Sequence, residues 1–345
     1  VRCTFTGHVG FLFETRGGSV LCDPWFTPAY FGSWFPFPRN DVLAAEGFSA
    51  PDYLYISHLH RDHFDPEWLA THVDKRATVL LPEFKVPFLE RELRDLGFEH
   101  FVRTRNGEPL DLDGLEITIV AFTEPADGPL GDSLLVLDDG TARVLNQNDA
   151  RPGDPDALRA LGPFDAQIVQ YSGAIWYPVV YDFPPELKDQ LARNKRENEM
   201  ARARQYIEWL GAAHVFPCAG PPAFLDDALF DLNDFDRDPA NIFPDQPVFL
   251  DHLAEHGIDT AVLLVPGSIA ELDGSECKVT QPVSDAELRR PFSDKRAYLT
   301  EYARDWSAWL ADERAGWSQT RRDLAGELAA WFEPLLERAP ITSAG

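Results

Sequence analysis

A layered α/β fold is predicted by three features of the chain. Short apolar or alternating runs crowd its first two thirds, helical patterns fall between them, and helical spacing alone fills the C-terminal end. Of its 345 residues 44% are hydrophobic and 12% aromatic, which supports a substantial core and excludes a disordered chain. Runs at 3–6, 11–14 and 19–22 read as strands, separated by Gly7-His8-Val9-Gly10 and Arg16-Gly17-Gly18. Residues 23–38, DPWFTPAYFGSWFPFP, contain four prolines, so neither a regular helix nor a central strand forms there. That loop is loaded with aromatics. It reads equally as packing over the core or as the wall of an apolar pocket.

Further strands are expected at 53–56, 78–81, 115–121, 133–137, 143–145, 166–169, 214–217 and 261–265. Asp138-Asp139-Gly140-Thr141 is the turn of a hairpin between two of them. Helices are expected at 66–73, 87–96 and 185–210. After about residue 285 apolar side chains recur at helical spacing: Leu299, Tyr302, Trp306, Trp309, Leu310, then Leu324, Leu328, Trp331, Leu335. The expected organisation is a catalytic domain over 1–284 and a helical extension packed on it over 285–345. The tail tryptophans Trp306, Trp309 and Trp331 read as core or as the seam of a homo-oligomer.

Charge narrows the function. With 31 Lys+Arg against 57 Asp+Glu the formal net charge is −26. A nucleic-acid binder needs a basic face, and so does a protein docking on anionic lipid, so neither partner is expected. No run of apolar residues is long enough for a membrane span. The start, Val1-Arg2-Cys3-Thr4-Phe5, has no signal-peptide pattern, and Cys3, Cys22, Cys218 and Cys277 form no CxxC. Free thiols in a cytoplasmic protein are the expectation.

The chemistry concentrates in Ser57-His58-Leu59-His60-Arg61-Asp62-His63, directly after the strand at 53–56. Three imidazoles and a carboxylate in six residues are hard to explain by packing. His58 and His60 alternate, so both point the same way from an extended segment. Asp62 and His63 begin a turn and reach a second point. This arrangement suits two metal ions about 3.5–4 Å apart.

That HxHxDH run resembles the metallo-β-lactamase superfamily, which implies an αββα sandwich with a helical C-terminal extension here. The resemblance implies His58 and His60 on a first metal, Asp62 and His63 on a second, and Asp149, after a hairpin strand, bridging them. Its motif is specific for the fold and nearly silent on the reaction. A broader likeness runs along the chain. Gly7-His8-Val9, Leu21-Cys22-Asp23-Pro24-Trp25, the aromatic loop, Ile56-Ser57-His58, residues 144–149, 170–174 and 216–220 look like the metallo-β-lactamase domain of the CMP-N-acetylneuraminate hydroxylase family. The chain also looks like the metallo-β-lactamase-fold non-haem diiron monooxygenases of natural-product pathways. These include a hydroxylase of chloramphenicol biosynthesis and the platensimycin/platencin type that acts on diterpenoid thioesters.

Two departures stand out. The position of the superfamily's third His is Glu124, and the late C-terminal His reads as Asp226, with Asp227 and His252 as alternatives. Both changes enrich the site in carboxylate, which suits iron better than zinc. The resemblance thus implies two iron ions, with zinc or manganese as the alternative metals. It implies O2 and a separate reductase as partners, and hydroxylation of an unactivated C–H in a bulky apolar, small-molecule intermediate. No paired Cys/His motif for a Rieske cluster is present in this chain. Trp25, Phe26, Trp34, Trp176 and Tyr177 are candidates to enclose the substrate; packing over the core explains them equally. Arg39, Arg61 and Arg193-Asn194-Lys195-Arg196 are candidates for an acyl-CoA handle, the last cluster reading first as a solvated helix face. His8 reaches the site from an outer shell or is a packed histidine. A dinuclear hydrolase of lactones, thioesters or phosphodiesters is the alternative activity, and a scaffold that has lost its metals is a third reading.

Overall fold

Residues 1–123, 130–173, 175–318 and 323–338 are described by the computed structural model. The chain divides into two compact units, Val1–Ala303 and Arg304–Gly345. In the first unit the strands form two mixed sheets. One contains β1 (Arg2–Gly7), β2 (Gly10–Thr15), β3 (Gly18–Cys22), β4 (Tyr53–Tyr55), β5 (Thr78–Leu81) and β6 (Phe101–Arg103). The other contains β7 (Pro109–Asp111), β8 (Glu116–Phe122), β9 (Asp132–Asp138), β10 (Arg143–Asn148), β11 (Ala166–Gln170) and β12 (His214–Cys218). A late hairpin, β13 (Ile269–Asp273) and β14 (Glu276–Thr280), extends the first sheet to the order β14-β13-β1-β2-β3-β4-β5-β6, facing the order β12-β11-β10-β9-β8-β7.

The period-two pattern decides which side each residue serves. Phe11, Phe13, Val20 and Tyr55 of the first sheet meet Ile117, Ile119, Leu135, Leu137 and Ile168 of the second in one buried cluster between the sheets. The residues between them face outward. Leu21, Leu54, Val79 and Leu81 pack on α1 (Pro66–His72) and α2 (Phe88–Asp95). Leu134, Val136, Leu145 and Val169 pack under α3 (Pro155–Ala160), α4 (Pro185–Leu210) and α5 (Gln246–Glu255). The result is the expected helix–sheet–sheet–helix sandwich. Each large side chain taken fully out of water here contributes about 1.5–3 kcal/mol.

Local chemistry sets the element ends. Asp65 caps α1 by accepting from Trp68 N at 3.0 Å, with Pro66 in the first turn. The same carboxylate accepts from Phe26 N at 2.9 Å and Thr27 N at 2.8 Å, which ties the aromatic loop to α1. Gly211 ends α4 in the left-handed region at φ 59°. In the C-terminal part, α6 (Asp285–Ser293) and α7 (Lys295–Asp305) precede α8 (Ser307–Ser318) and α9 (Leu324–Arg338). The compact units thus divide about twenty residues after the boundary expected from the sequence. On α9, Leu324, Leu328, Trp331 and Phe332 are exposed.

Two expectations are corrected. Residues 261–265 form only an isolated parallel bridge, Val215 with Ala261, since Pro266 and Gly267 turn the chain away. The edge hairpin β13–β14 was not anticipated, because its charged, exposed residues hide the alternation.

A buried ion pair joins the start of α5 to the start of α7. Lys295 Nζ donates to Asp245 Oδ1 at 2.7 Å, with side chains 4% and 10% exposed. Burial raises the Asp245 pKa, opposed by the Lys295 charge. Lys295→Met leaves that carboxylate buried without its cation, and urea unfolding is expected to show a loss of about 3–5 kcal/mol. Lys295→Met with Asp245→Asn is expected to recover most of it.

Candidate metal centre

The HxHxDH segment leaves β4 at the rim where β3, β10 and β12 also end. Four non-glycine residues there adopt positive φ: His8 (54°), Asp23 (39°), Asn148 (42°) and Ala219 (46°). Such backbone is costly for residues with a Cβ, and it recurs where geometry serves a site. Here these turns place His8, Asp23 and Asn148 for the hydrogen bonds of the rim, and Ala219 N donates to His8 O.

A hydrogen-bond lattice fixes that rim from below. Ser133 Oγ donates to Ser57 O at 2.8 Å, while Tyr55 OH and Asn148 Nδ2 both donate to Ser133 O at 3.0 Å. These bonds clamp the end of β4 in one sheet to β9 and β10 in the other. Asp23, fully buried, accepts from Ser57 N at 2.7 Å and from Ser57 Oγ at 2.6 Å.

Two carboxylates orient the imidazoles. Asp23 Oδ2 lies 3.0 Å from His63 Nδ1, and Asp132 Oδ1 lies 3.2 Å from His58 Nδ1. Each holds the Nδ1 side, so both Nε2 atoms face the rim, as in carboxylate–histidine–metal arrangements. His58 Nε2 then stands 2.7 Å from His60 Nδ1, with His60 itself exposed. His63 Nε2 stands 3.5 Å from Asp149 Oδ2 and 3.9 Å from Asp62 Oδ2. Asp62 is anchored on both oxygens, by Tyr30 OH at 2.7 Å on Oδ1 and His8 Nε2 at 3.0 Å on Oδ2.

The donor atoms converge in two groups among the described residues. His58, His63 and Asp149 offer ligand atoms within 4.8 Å of one another, and so do His8, Asp62 and His63. His63 Nε2 and Asp149 Oδ1 are buried with no hydrogen-bond partner. An orphaned nitrogen and carboxylate oxygen in one buried point are costly unless a cation fills it. The surrounding charges also act on the titration of these groups. Burial disfavours charge on His63, yet Asp149 and Asp23 hold its pKa well above the ordinary histidine value. Burial also opposes charge on Asp62, but the His8 bond and the His63 charge hold its carboxyl well below the usual range. Asp149 is lowered in the same way by His63 against burial. The set of His58, His60, Asp62, His63 and Asp149 therefore fits a pair of divalent ions, with His63 common to both groups.

The remaining expected residues distribute differently. Glu124 lies outside the described residues. Asp226 caps Ala228 N at 2.8 Å in a later turn, Asp227 is exposed, and neither joins the described donor groups. His252 sits on α5 beside Phe249 and His256, in the helix layer. Trp34 lines the cleft over the centre with His8, Asp62, Asp149, Gln170 and Phe243. Trp25 is buried against the His8 ring at 5.0 Å, and Trp176 packs on Phe224 and Phe243. Phe26 stacks on Trp68 in the α1 layer, and Tyr177 packs on Tyr181 and Phe183. These last two are packing residues, because their rings are satisfied by neighbours away from the cleft. As drawn by its described residues the cleft holds about one water.

The expected acyl-CoA handle is largely committed elsewhere. Arg196 is buried with Asp234 and the Asp238 carbonyl, Arg193 faces Asp238 at 3.6 Å, and Lys195 bonds Ile175 O. Arg39 pairs with Asp41, and Arg61 lies over Phe64.

Sequence reasoning passed over Asp23, Tyr30, Ser57 and Asp132 as site residues. Asp23 and Ser57 stood in recognisable stretches, but Asp132 carries no local signal.

The layers and the rim define a metallo-β-lactamase fold with a two-metal donor set. A family model described as a beta-lactamase superfamily domain matches residues 2–132. A Mycobacterium tuberculosis (strain H37Rv) protein named "Putative Rieske 2Fe-2S iron-sulfur protein" is 48% identical over 344 residues, covering 97% of this chain and 67% of its own length. The chain belongs to the family of that mycobacterial protein, within the metallo-β-lactamase superfamily. It spans about two thirds of the length of the curated relatives it matches. Among solved structures it is similar in fold to Igni18, a metallo hydrolase from Ignicoccus hospitalis, at TM-score 0.52 and 17% identity, covering 81% of this chain and 98% of that one. It is also similar in fold to CmlA, a diiron β-hydroxylase from Streptomyces venezuelae, at TM-score 0.50 and 20% identity, covering 81% of this chain and 54% of that one.

Asp132→Asn removes the carboxylate behind His58 while keeping its shape. Metal affinity, read by chelator competition, is expected to fall 10–100-fold with the number of ions at saturation unchanged. Unchanged affinity would show that Asp132 does not support the centre.

Proposed function

We propose that this chain is the oxygen-activating, dinuclear iron portion of a Rieske-type monooxygenase. The observation that carries this reading is the carboxylate-rich donor set at the rim, Asp62 and Asp149 beside His58, His60 and His63. Mixed carboxylate and imidazole ligation favours iron that cycles between oxidation states over zinc. The Rieske name of the mycobacterial relative supports iron chemistry, and its further third of length supports an electron-delivering cluster outside this chain. Such a cluster would relay electrons one at a time, and the separate reductase expected as a partner would supply them.

Two irons, held by His58, His60, Asp62, His63 and Asp149, would supply the reduction of O2 by which one oxygen atom enters a C–H bond and the other leaves as water, with two electrons and two protons consumed. The chain's own residues do the rest. Asp23 and Asp132 keep His63 and His58 in fixed orientation, and Tyr30 holds Asp62. Trp34 and Phe243, with Pro221 and Pro222, form an apolar wall that limits water at the centre. A bulky apolar substrate requires that wall to open. Substrate therefore enters beside Gln170 and Ser172, the polar lining of the cleft.

A hydrolase using two zinc or manganese ions at the same residues is the competing reading, since the cleft holds about one water next to Asp149.

The test is iron content and oxygen uptake of protein prepared without oxygen from iron-replete cells. About two irons per chain, and O2 consumption after chemical reduction of those irons, are expected. Zinc alone, no uptake after iron loading, and cleavage of lactone or thioester substrates would overturn the oxygenase.

A further inference from the structure

We infer that His8 is itself a metal ligand, donating Nε2 to the ion held by Asp62 and His63. This rests on the dinuclear reading of the centre and names a residue of its second site.

The first ground is placement. His8 is buried, and its ring nitrogen lies within 4.8 Å of ligand atoms of both Asp62 and His63. Two donors held at right angles on one ion, each about 2.1 Å from it, stand about 3.0 Å apart; at the tetrahedral angle they stand about 3.4 Å apart. The His8 Nε2 to Asp62 Oδ2 separation is 3.0 Å, and His63 Nε2 stands 3.9 Å from that same oxygen. Asp149 Oδ2, at 3.5 Å from His63 Nε2, belongs to the neighbouring donor group with His58.

The second ground is partner counting. Tyr30 already satisfies Asp62 Oδ1, leaving Oδ2 to face His8. A hydrogen bond from His8 would explain that one contact. It would leave His63 Nε2, which belongs to the same donor group, without a partner. An ion held by His8, Asp62 and His63 satisfies both.

The third ground is the backbone. His8 sits at φ 54° in the tight turn between β1 and β2. The turn is held from both sides: Ala219 N donates to His8 O at 2.9 Å, and Asn40 Nδ2 donates to Thr6 O at 2.8 Å. At Gly7, φ 115°, a Cβ would stand 3.0 Å from Asn40 Nδ2, so the turn packs too closely there for a side chain. At Gly10 a Cβ would stand 2.1 Å from Thr6 Oγ1. Trp25 then braces the imidazole edge-on at 5.0 Å. Strained backbone, close packing and a ring aimed into the cleft are what a ligand position requires.

With His8 the second site becomes two imidazoles and one carboxylate, a set for a divalent transition ion such as Fe2+, Mn2+ or Co2+. None of Asp226, Asp227 and His252 belongs to the described donor groups, and none is needed to close it.

Co2+ uptake separates a ligand from a hydrogen-bond donor. His8→Ala removes both functions, whereas His8→Gln keeps an amide able to donate to Asp62 but is a poor ligand. Wild-type protein is expected to retain two Co2+ through gel filtration. Both variants are expected to keep one tightly and bind the second at least about 100-fold more weakly, at or beyond the upper end of what loss of an outer-shell partner costs. Thermal melts of the metal-free proteins report folding. If His8→Ala does not fold, His8→Gln decides alone. Two Co2+ at wild-type affinity in His8→Gln would overturn the assignment and leave the dinuclear centre standing. A wild-type chain that retains one ion or none would overturn the dinuclear reading, and the assignment with it.

Discussion

Everything at the rim depends on one constraint: charged groups have been taken out of water at a single point between two sheets. Asp23, Asp62, Asp132, His58 and His63 are all buried there. Ionised groups survive such burial only when paired, hydrogen-bonded or bound to a cation. Asp23 and Asp132 spend their oxygens on imidazole Nδ1 atoms and on backbone or hydroxyl donors. Asp62 spends one oxygen on Tyr30. What stays unpaired, His63 Nε2 and an oxygen of Asp149, faces one place. The four positive-φ residues and the Ser57–Ser133–Asn148 lattice follow from the need to hold these groups still while they face one another.

The parts of this design that were legible in the sequence are those carried by local pattern. His58, His60, Asp62 and His63 crowd one turn after one strand, and no packing requirement produces that spacing. The sandwich was legible because alternation in β2, β8 and β9 divides side chains cleanly between the inter-sheet core and the helix layers. Asp132 was not legible, because its meaning comes only from β9 lying against the end of β4 across the two sheets. Asp226 and His252 were read by distance along the chain, whereas the fold carries one into a turn and the other into a helix layer. The aromatic loop shows the same limit. Composition could not say which ring faces the cleft, and tertiary packing sends Trp34 to it, Trp25 behind His8, and Phe26 to α1.

The thiols make a useful contrast with the imidazoles. Cys3, Cys22 and Cys218 are free and buried, the first and second on inward positions of β1 and β3. Burial raises the pKa of all three, so they stay protonated and unreactive. They serve as small core residues, and among the described residues no thiol joins a metal-capable group. An iron–sulfur cluster would therefore need ligands other than these cysteines.

The most direct test is anomalous diffraction at the iron edge from crystals of the chain loaded with Fe2+ without oxygen. Two peaks about 3.5–4 Å apart are expected. Asp149 should lie between them, with His58 and His60 on one peak and Asp62 and His63 on the other. A single peak, or iron bound away from His63 and Asp149, would contradict a two-metal rim.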